Sequence, residues 1–101
     1  MLTQLTENNL AELTKNKVVL LDFSATWCAP CHMLGQELEE LDNEKFDIIK
    51  IDIDDYEKLA KQYGIMVVPT MIVMVDGKEV KKVTGYHTKN QILEFMNEYT
   101  K

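Results

Sequence analysis

The chain has 101 residues, a formal net charge of −6 and no arginine, so it lacks the basic face that binding to a phosphate backbone requires. No apolar run approaches the roughly 18 residues of a membrane span, and the first residues carry neither the basic nor the apolar segment of a secretory signal. We therefore expect one cytoplasmic domain spanning residues 1–101 that binds neither nucleic acid nor membrane. We also expect a monomer, which composition and charge do not determine.

The first half of the chain alternates short strands with helices. Residues 2–5 form a weak candidate strand, and Thr6 is a suitable N-cap for a helix that runs to about Asn16. The nearly continuous apolar run 17–24 is typical of a central strand that is covered on both faces. Leucines at helical spacing after the second cysteine predict another helix, which ends near Asn43.

A second strand and helix follow in the middle of the chain. Residues 46–53 alternate between apolar and polar side chains in their second half, which indicates a strand. Asp54 and Glu57 have the spacing of a capping box, so they predict the beginning of a helix. Gly64 is expected to end that helix.

The pattern changes in the last third of the chain. Residues 70–75 and 79–84 are two candidate strands joined by Asp76-Gly77, a strong signal for a β-hairpin. Thr88 and Gln91 form another capping box before a last helix. The element order βαβαβαββα predicts an α/β fold of three layers, α/β/α, with a central mixed sheet of five strands and four helices on its two faces.

The segment Trp27-Cys28-Ala29-Pro30-Cys31 carries the chemistry, because it holds the two cysteines of the chain and its one tryptophan. It lies where a predicted strand meets a predicted helix. Two thiols separated by two residues at such a junction can close a small disulfide ring and reopen it. The alternatives are half of a zinc site, for which His32 and His87 are the remaining nitrogen donors, and an inert structural disulfide.

The two cysteines are expected to differ in reactivity. If the helix begins at the motif, Cys28 lies at its N-terminus, where free N–H groups and the helix dipole favour negative charge. We therefore predict that Cys28 has a lowered pKa, is the more exposed sulfur and acts as the nucleophile. Cys31, one turn further along, would act as the resolving thiol. Ala29 and Pro30 lie between them and would tune the redox equilibrium, with proline suited to the first turn of a helix.

Over essentially its whole length the sequence resembles the thioredoxin family, the standard example of such a redox pair. The resemblance rests on the order and spacing of several short motifs: Asp22-Phe23, Trp27-Cys28-x-Pro30-Cys31, Lys50, Val68-Pro69-Thr70, Asp76-Gly77 and Gly85. It implies a thioredoxin-like fold and a general protein-disulfide reductase without a cofactor other than the cysteine pair. Its implied partners are disulfide-containing proteins and, as electron donor, the NADPH-dependent flavoprotein thioredoxin reductase. Ala29 departs from the family, which usually has glycine there.

Asp22 is the second candidate for a chemical role. Within a strand covered on both faces it would be desolvated, which raises the pKa of a carboxyl group. A carboxyl group that titrates near neutral pH can relay a proton, and the resemblance assigns that role to Asp22, with Lys50 as its companion. The alternative for Asp22 is a solvated carboxylate at a strand end, which the apolar run on either side disfavours. Read without the family, Lys50 is equally a lysine facing solvent.

Pro69, Val68, Trp27 and Gly85 are the candidates for substrate binding. An X–Pro bond is trans by default, but the resemblance implies a cis Val68–Pro69 bond facing the cysteine pair. Because proline has no N–H, the Val68 backbone would be free to pair with an extended peptide. Trp27 and Gly85 would line the same shallow surface. The alternatives are a core tryptophan and a glycine that merely ends a strand.

Two other functions remain open at this point. One is an oxidase or isomerase of the same fold, although such relatives tend to carry histidine where this chain has Pro30. The other is a binding module without catalysis, which would use the surface around Trp27 and Pro69 for docking.

Overall fold

Strands and helices alternate along the chain in a computed structural model, which describes residues 1–42 and 44–101. Within these residues the elements, in chain order, are β1 Leu2–Gln4, α1 Leu10–Thr14, β2 Val18–Ser24, α2 Ala29–Glu39, β3 Asp47–Asp52, α3 Glu57–Gln62, β4 Thr70–Val75, β5 Lys78–Thr84 and α4 Lys89–Met96. The order βαβαβαββα is therefore the predicted one.

The strands form one mixed sheet with the order β1-β3-β2-β4-β5. β3 is parallel to both β1 and β2, whereas β4 is antiparallel to β2 and to β5. β2 is thus a central strand, as its apolar run predicted. The ends of β2 and β3 meet at one edge of the sheet, where Ser24 is opposite Asp52. The segment with the two cysteines follows directly from this edge.

Helices cover both faces of the sheet, so the predicted three-layer α/β/α fold is confirmed. On one face Leu10 of α1 and Leu59 of α3 pack against alternate residues of β2, such as Leu21. On the other face Leu34 of α2 and Ile92 of α4 pack against a set that includes Leu20. This alternation follows from the two-residue period of a strand, which points successive side chains to opposite faces.

The predicted helix boundaries are only partly correct. α1 begins at Leu10, and the side chain of its N-cap residue, Asn9, makes no capping hydrogen bond, so the prediction for Thr6 is wrong. α2 ends at Glu39 rather than near Asn43, and residue 43 itself lies outside the described residues. Leu5 still hydrogen-bonds to β3, through its N–H and the Lys50 carbonyl, and α1 begins five residues later.

The capping box predicted at Asp54 and Glu57 is also wrong, whereas the one predicted at Thr88 and Gln91 is confirmed. α3 begins at Glu57 after Tyr56, without a side-chain cap from Asp54. In α4, Thr88 accepts a hydrogen bond from the Gln91 N–H, and the Gln91 side chain accepts one from the Thr88 N–H. Gly64 ends α3 as predicted, with a φ of 67°, a conformation that glycine adopts without strain.

The hairpin between β4 and β5 turns at Asp76 and Gly77, as predicted. Both residues have positive φ, 53° and 80°, which matches the turn type preferred in two-residue hairpins. Within the described residues, the helices are all too short or too polar to cross a membrane.

Candidate active site

Cys28 and Cys31 form a disulfide at the beginning of α2, with 5.2 Å between their Cα atoms. Cys28 is the N-cap residue, with an extended backbone, and Pro30 lies in the first turn. The Cys31 N–H donates a hydrogen bond to Cys28 Sγ across 3.2 Å. The sulfur of Cys28 therefore occupies the position where a helix N-terminus stabilises negative charge. Ala29 and Pro30, between the two sulfurs, are both exposed.

The two cysteines of the disulfide are buried. Cys28 and Cys31 have exposed fractions of 6% and 4%, and together with Ala25 they form a small apolar cluster. Cys28 Sγ lies 3.7 Å from the carbonyl oxygen of Val68. Cys28 is therefore not clearly more exposed than Cys31 as a whole residue, contrary to the prediction. The closed ring and the neighbouring segment around Val68 cover both cysteines.

Asp22 is completely buried in β2. It shares the alternating face of Leu20, so it lies beneath α2 and α4, with Lys50 and Met71 as its neighbours in register on β3 and β4. Neither carboxyl oxygen has a hydrogen-bond partner among the described residues. Burial raises the pKa of Asp22 from its ordinary value of 3.8 to about 7, against the opposing attraction of the Lys50 ammonium.

A polar cleft of about 380 Å³ opens on the side of the disulfide that carries Cys31. Lys50 and Cys31 both line this cleft, together with Gly35 of α2. A Cβ atom on Gly35 would lie 3.4 Å from Lys50 Nζ, so the ammonium group passes close under the helix. A cleft of this volume is large enough to hold several water molecules.

The segment 67–69 forms the other side of the disulfide. The Val68–Pro69 peptide bond is cis, as the resemblance implied. Pro69 is buried and Val68 is half-buried against the cysteine cluster. The Gly85 N–H donates to the Pro69 carbonyl across 2.8 Å, which places the segment after β5 beside the segment before β4. Gly85 is half-buried there, with a φ of 88°.

Trp27 is 68% exposed, which excludes the alternative of a core tryptophan. Its indole N–H donates a hydrogen bond to Asp54 Oδ2 across 2.9 Å. Sequence reasoning assigned Asp54 to a helix cap and missed this contact. This hydrogen bond joins the segment after β2 to the segment after β3. Because neighbouring parallel strands end at the same edge of a sheet, the sequence could have indicated that these two segments lie close together.

His32 is a second residue whose place sequence reasoning missed. Its Nε2 lies 2.8 Å from the Thr26 carbonyl oxygen, so the ring donates a hydrogen bond to the loop before α2. This nitrogen is thereby occupied by the backbone. Among the described residues, no group of three or more histidine, cysteine, aspartate or glutamate side chains is arranged to hold a metal ion.

Comparisons with known proteins agree with this geometry. Residues 1–98 match the family model described as Thioredoxin. The chain is 40% identical to the thioredoxin of Bacillus subtilis over 97 residues, which cover 93% of each chain. It is 38% identical to the thioredoxin of Staphylococcus haemolyticus over 101 residues, or 97% of each chain. A solved mutant thioredoxin from Halobacterium salinarum has a similar fold, with a TM-score of 0.91 and 35% identity over 99% of this chain and 90% of that one.

Proposed function

The chain belongs to the thioredoxin family, and on that premise we propose how its residues divide the work of disulfide reduction. It is a thiol–disulfide oxidoreductase, a protein-disulfide reductase that acts through Cys28 and Cys31. The observation that supports the division of roles is the hydrogen bond from the Cys31 N–H to Cys28 Sγ at the N-terminus of α2. It favours a thiolate at Cys28 rather than at Cys31.

The reaction proceeds in two displacements. In the reduced protein, the Cys28 thiolate attacks one sulfur of a substrate disulfide, and the other substrate sulfur leaves as a thiolate that takes up a proton. The Cys31 thiol then loses its proton and attacks Cys28 Sγ in the mixed disulfide. The Cys28–Cys31 disulfide forms, the second substrate thiol is released, and two electrons have passed to the substrate.

Asp22 relays the proton that the Cys31 thiol loses in the resolving step. A carboxyl group whose pKa is about 7 can accept a proton and return it near neutral pH. Asp22 lies under α2, and water in the cleft that Lys50 and Cys31 line provides the path between the carboxyl group and the thiol. Lys50 supports the charged form of Asp22 when the proton has left.

Substrates bind along the surface on the other side of the disulfide. An extended peptide pairs with the Val68 backbone by strand addition, since Pro69 offers no N–H of its own. The contact between Cys28 Sγ and the Val68 carbonyl supports this, because a peptide held there has its own cysteine beside the nucleophile. Trp27 and Gly85 line the same surface, while Ala29 and Pro30 set the redox equilibrium.

We also propose the wider setting that family membership suggests. Residues 1–101 act as one cytoplasmic, monomeric domain in electron transport and cell redox homeostasis, with no cofactor besides the cysteine pair. Thioredoxin reductase, an NADPH-dependent flavoprotein, returns two electrons to the disulfide. An oxidase or isomerase of the same fold is not favoured, because Pro30 occupies the position where such relatives tend to carry histidine.

Covalent trapping tests the order of attack. The Cys31→Ser variant is expected to accumulate mixed disulfides with a disulfide substrate such as insulin, detected as adducts on a nonreducing gel, because nothing displaces the substrate from Cys28. The Cys28→Ser variant should accumulate few adducts, and the double variant none. Equal trapping by the two single variants would contradict the assignment of nucleophile and resolving thiol.

A further inference from the structure

Most of the exposed apolar side chains belong to segments that surround the disulfide. Seven large hydrophobic residues are exposed in the part of the chain that the structure describes, and only Met1 and Val80 of these lie away from the disulfide. We call the other five the apolar docking surface: Trp27, Met33, Met66, Val67 and Tyr86. Exposed apolar groups gathered in this way mark a site of protein interaction.

Hydrogen bonds and chain order bring these five residues together. Trp27 and Met33 flank the disulfide on the two sides of the motif, and Val67 precedes Val68, whose carbonyl lies 3.7 Å from Cys28 Sγ. Tyr86 follows Gly85, whose N–H donates a hydrogen bond to the Pro69 carbonyl. A partner that reaches Cys28 therefore meets an apolar surface first.

One border of this surface is strongly acidic. The segment that follows β3 carries four carboxylates within six residues, which we call the acidic segment: Asp52, Asp54, Asp55 and Glu57. Its contact with the docking surface is direct, because Asp54 accepts the hydrogen bond from the Trp27 indole. Lys58 and Lys61 follow on α3, so residues 52–61 have four carboxylates against two ammonium groups, an excess of two negative charges.

Three other basic side chains near the motif have contacts of their own, and one of them, Lys50, shares its cleft with Asp52 of the acidic segment. Lys89 pairs with Glu40 at 3.0 Å, and Lys50 lines the cleft on the Cys31 side, under α2. His32 uses its Nε2 for the Thr26 carbonyl. The total charge of −6 adds a long-range field of the same sign, which draws basic partners and repels acidic ones.

We propose that the preferred substrates of this reductase are disulfide proteins whose reactive cysteine lies beside an apolar residue and within a few residues of lysine or arginine. The apolar residue would contact the docking surface and the basic residues the acidic segment. This inference rests on the proposed function, since it concerns the same cysteine pair. Complementary charge at the border of an apolar contact gives specificity and faster association rather than large affinity.

Two matched peptides test the proposal. Each has one internal disulfide and leucine beside the cysteine to be attacked, and the flanking residues are two lysines in one peptide and two glutamates in the other. We expect the fully reduced protein to reduce the lysine peptide about five-fold or more faster at low salt, since each exposed charge pair contributes about two- to five-fold. The ratio should approach one when the ionic strength rises from about 0.01 M to about 1 M, because the Debye length falls from about 30 Å to about 3 Å.

Charge variants assign the preference to the acidic segment. Asp55 is exposed, so Asp55→Asn should lower the ratio about two-fold and Asp55→Lys should lower it further. Glu12 is the matched control. It is an exposed carboxylate of α1, whose last residue, Thr14, lies near Gly77 at the opposite end of the sheet. Glu12→Gln and Glu12→Lys should lower the ratio less than the matched Asp55 variants, because they change the total charge but leave the acidic segment intact.

The outcomes separate this inference from the proposed function. 2-Hydroxyethyl disulfide is small and uncharged, so its reduction depends on the cysteine pair and not on the docking surface. If the wild-type protein reduces it but reduces both peptides equally fast at low salt, the substrate preference is wrong and the reductase function stands. A ratio that is unaltered in both Asp55 variants also overturns the proposal. Failure to reduce any of the three disulfides would contradict the reductase function itself.

Discussion

Asp22 and Lys50 are opposite each other in register on β2 and β3, yet the carboxyl group of Asp22 is completely buried and its pKa is raised to about 7. Burial disfavours the charged form more strongly than the Lys50 ammonium favours it. The protein thus keeps a carboxyl group that changes charge at neutral pH, under the helix that begins with the redox pair.

The first prediction concerns stability and pH. A folded pKa of about 7, against 3.8 for the ordinary group, means that between these values the folded protein holds a proton that the unfolded chain has released. Stability contributed by neutral Asp22 is therefore fully present below about pH 4 and is lost as the pH rises to 7. At about 1.4 kcal/mol for each pKa unit, the free energy of unfolding loses on the order of 4 kcal/mol.

Urea denaturation at pH 5 and pH 8 measures the part of this loss that falls above pH 5, about 3 kcal/mol. Asp22→Asn carries a neutral side chain of similar shape, so its free energy of unfolding relative to the wild type should rise by about 3 kcal/mol between pH 5 and pH 8. The exposed Asp55→Asn variant is the control and should follow the wild type at both values. A wild-type stability that is equal at pH 5 and pH 8 would show that Asp22 ionises in the folded protein at its ordinary pKa.

A second prediction concerns Lys50 and the rate of the resolving step. Its ammonium group lowers the pKa of Asp22 relative to what burial alone would give. Lys50→Met removes the charge and keeps a long side chain, so the pKa of Asp22 should rise further. The pH at which the rate of disulfide reduction changes should therefore rise in Lys50→Met. In Asp22→Ala this change of rate with pH should disappear. An unchanged profile in Lys50→Met would mean that Lys50 has no electrostatic role in the reaction.

The sequence predicted the positions of strands and of the redox pair well, for physical reasons that are local. The run 17–24 is apolar because β2 is covered on both faces, and burial of that kind leaves a clear mark on a sequence. The hairpin at Asp76-Gly77 is equally local, since positive φ at both positions suits few other residues. The burial of Asp22 could be predicted because it lies within the same run.

Contacts between segments far apart in sequence were harder to predict. Asp54 has the spacing of a helix cap, but it pairs with Trp27, which is 27 residues earlier. A capping box describes one helix end, so its pattern contains no information about a side chain that arrives from another strand. The cis Val68–Pro69 bond is a similar case, because the short sequence around it predicts trans and only the family resemblance implied otherwise.

A third prediction concerns the reactivity of the two thiols. The Cys31 N–H donates to Cys28 Sγ at the N-cap, whereas Cys31 itself lies within the first turn of α2. In the reduced protein, iodoacetamide at pH 7 should modify Cys28 at least about ten-fold faster than Cys31, since a thiolate is the reacting form. Peptide mass spectrometry after short reaction times measures both rates. Equal, slow modification of both cysteines, as in an unfolded peptide, would contradict the enzyme's proposed chemistry.

A last pair of variants compares two threonines that the sequence alone treats alike. Thr88 caps α4 through the Gln91 N–H, whereas Thr6 is exposed and does not cap α1, which begins four residues later. Thr88→Ala should therefore lower the free energy of unfolding by about 1 kcal/mol, the usual cost of losing such a cap. Thr6→Ala should change it by less than about 0.5 kcal/mol, as exposed substitutions usually do. In a thermal melt, the first change corresponds to a Tm lower by about 4–8 °C, and equal losses in the two variants would show that Thr6 caps α1 after all.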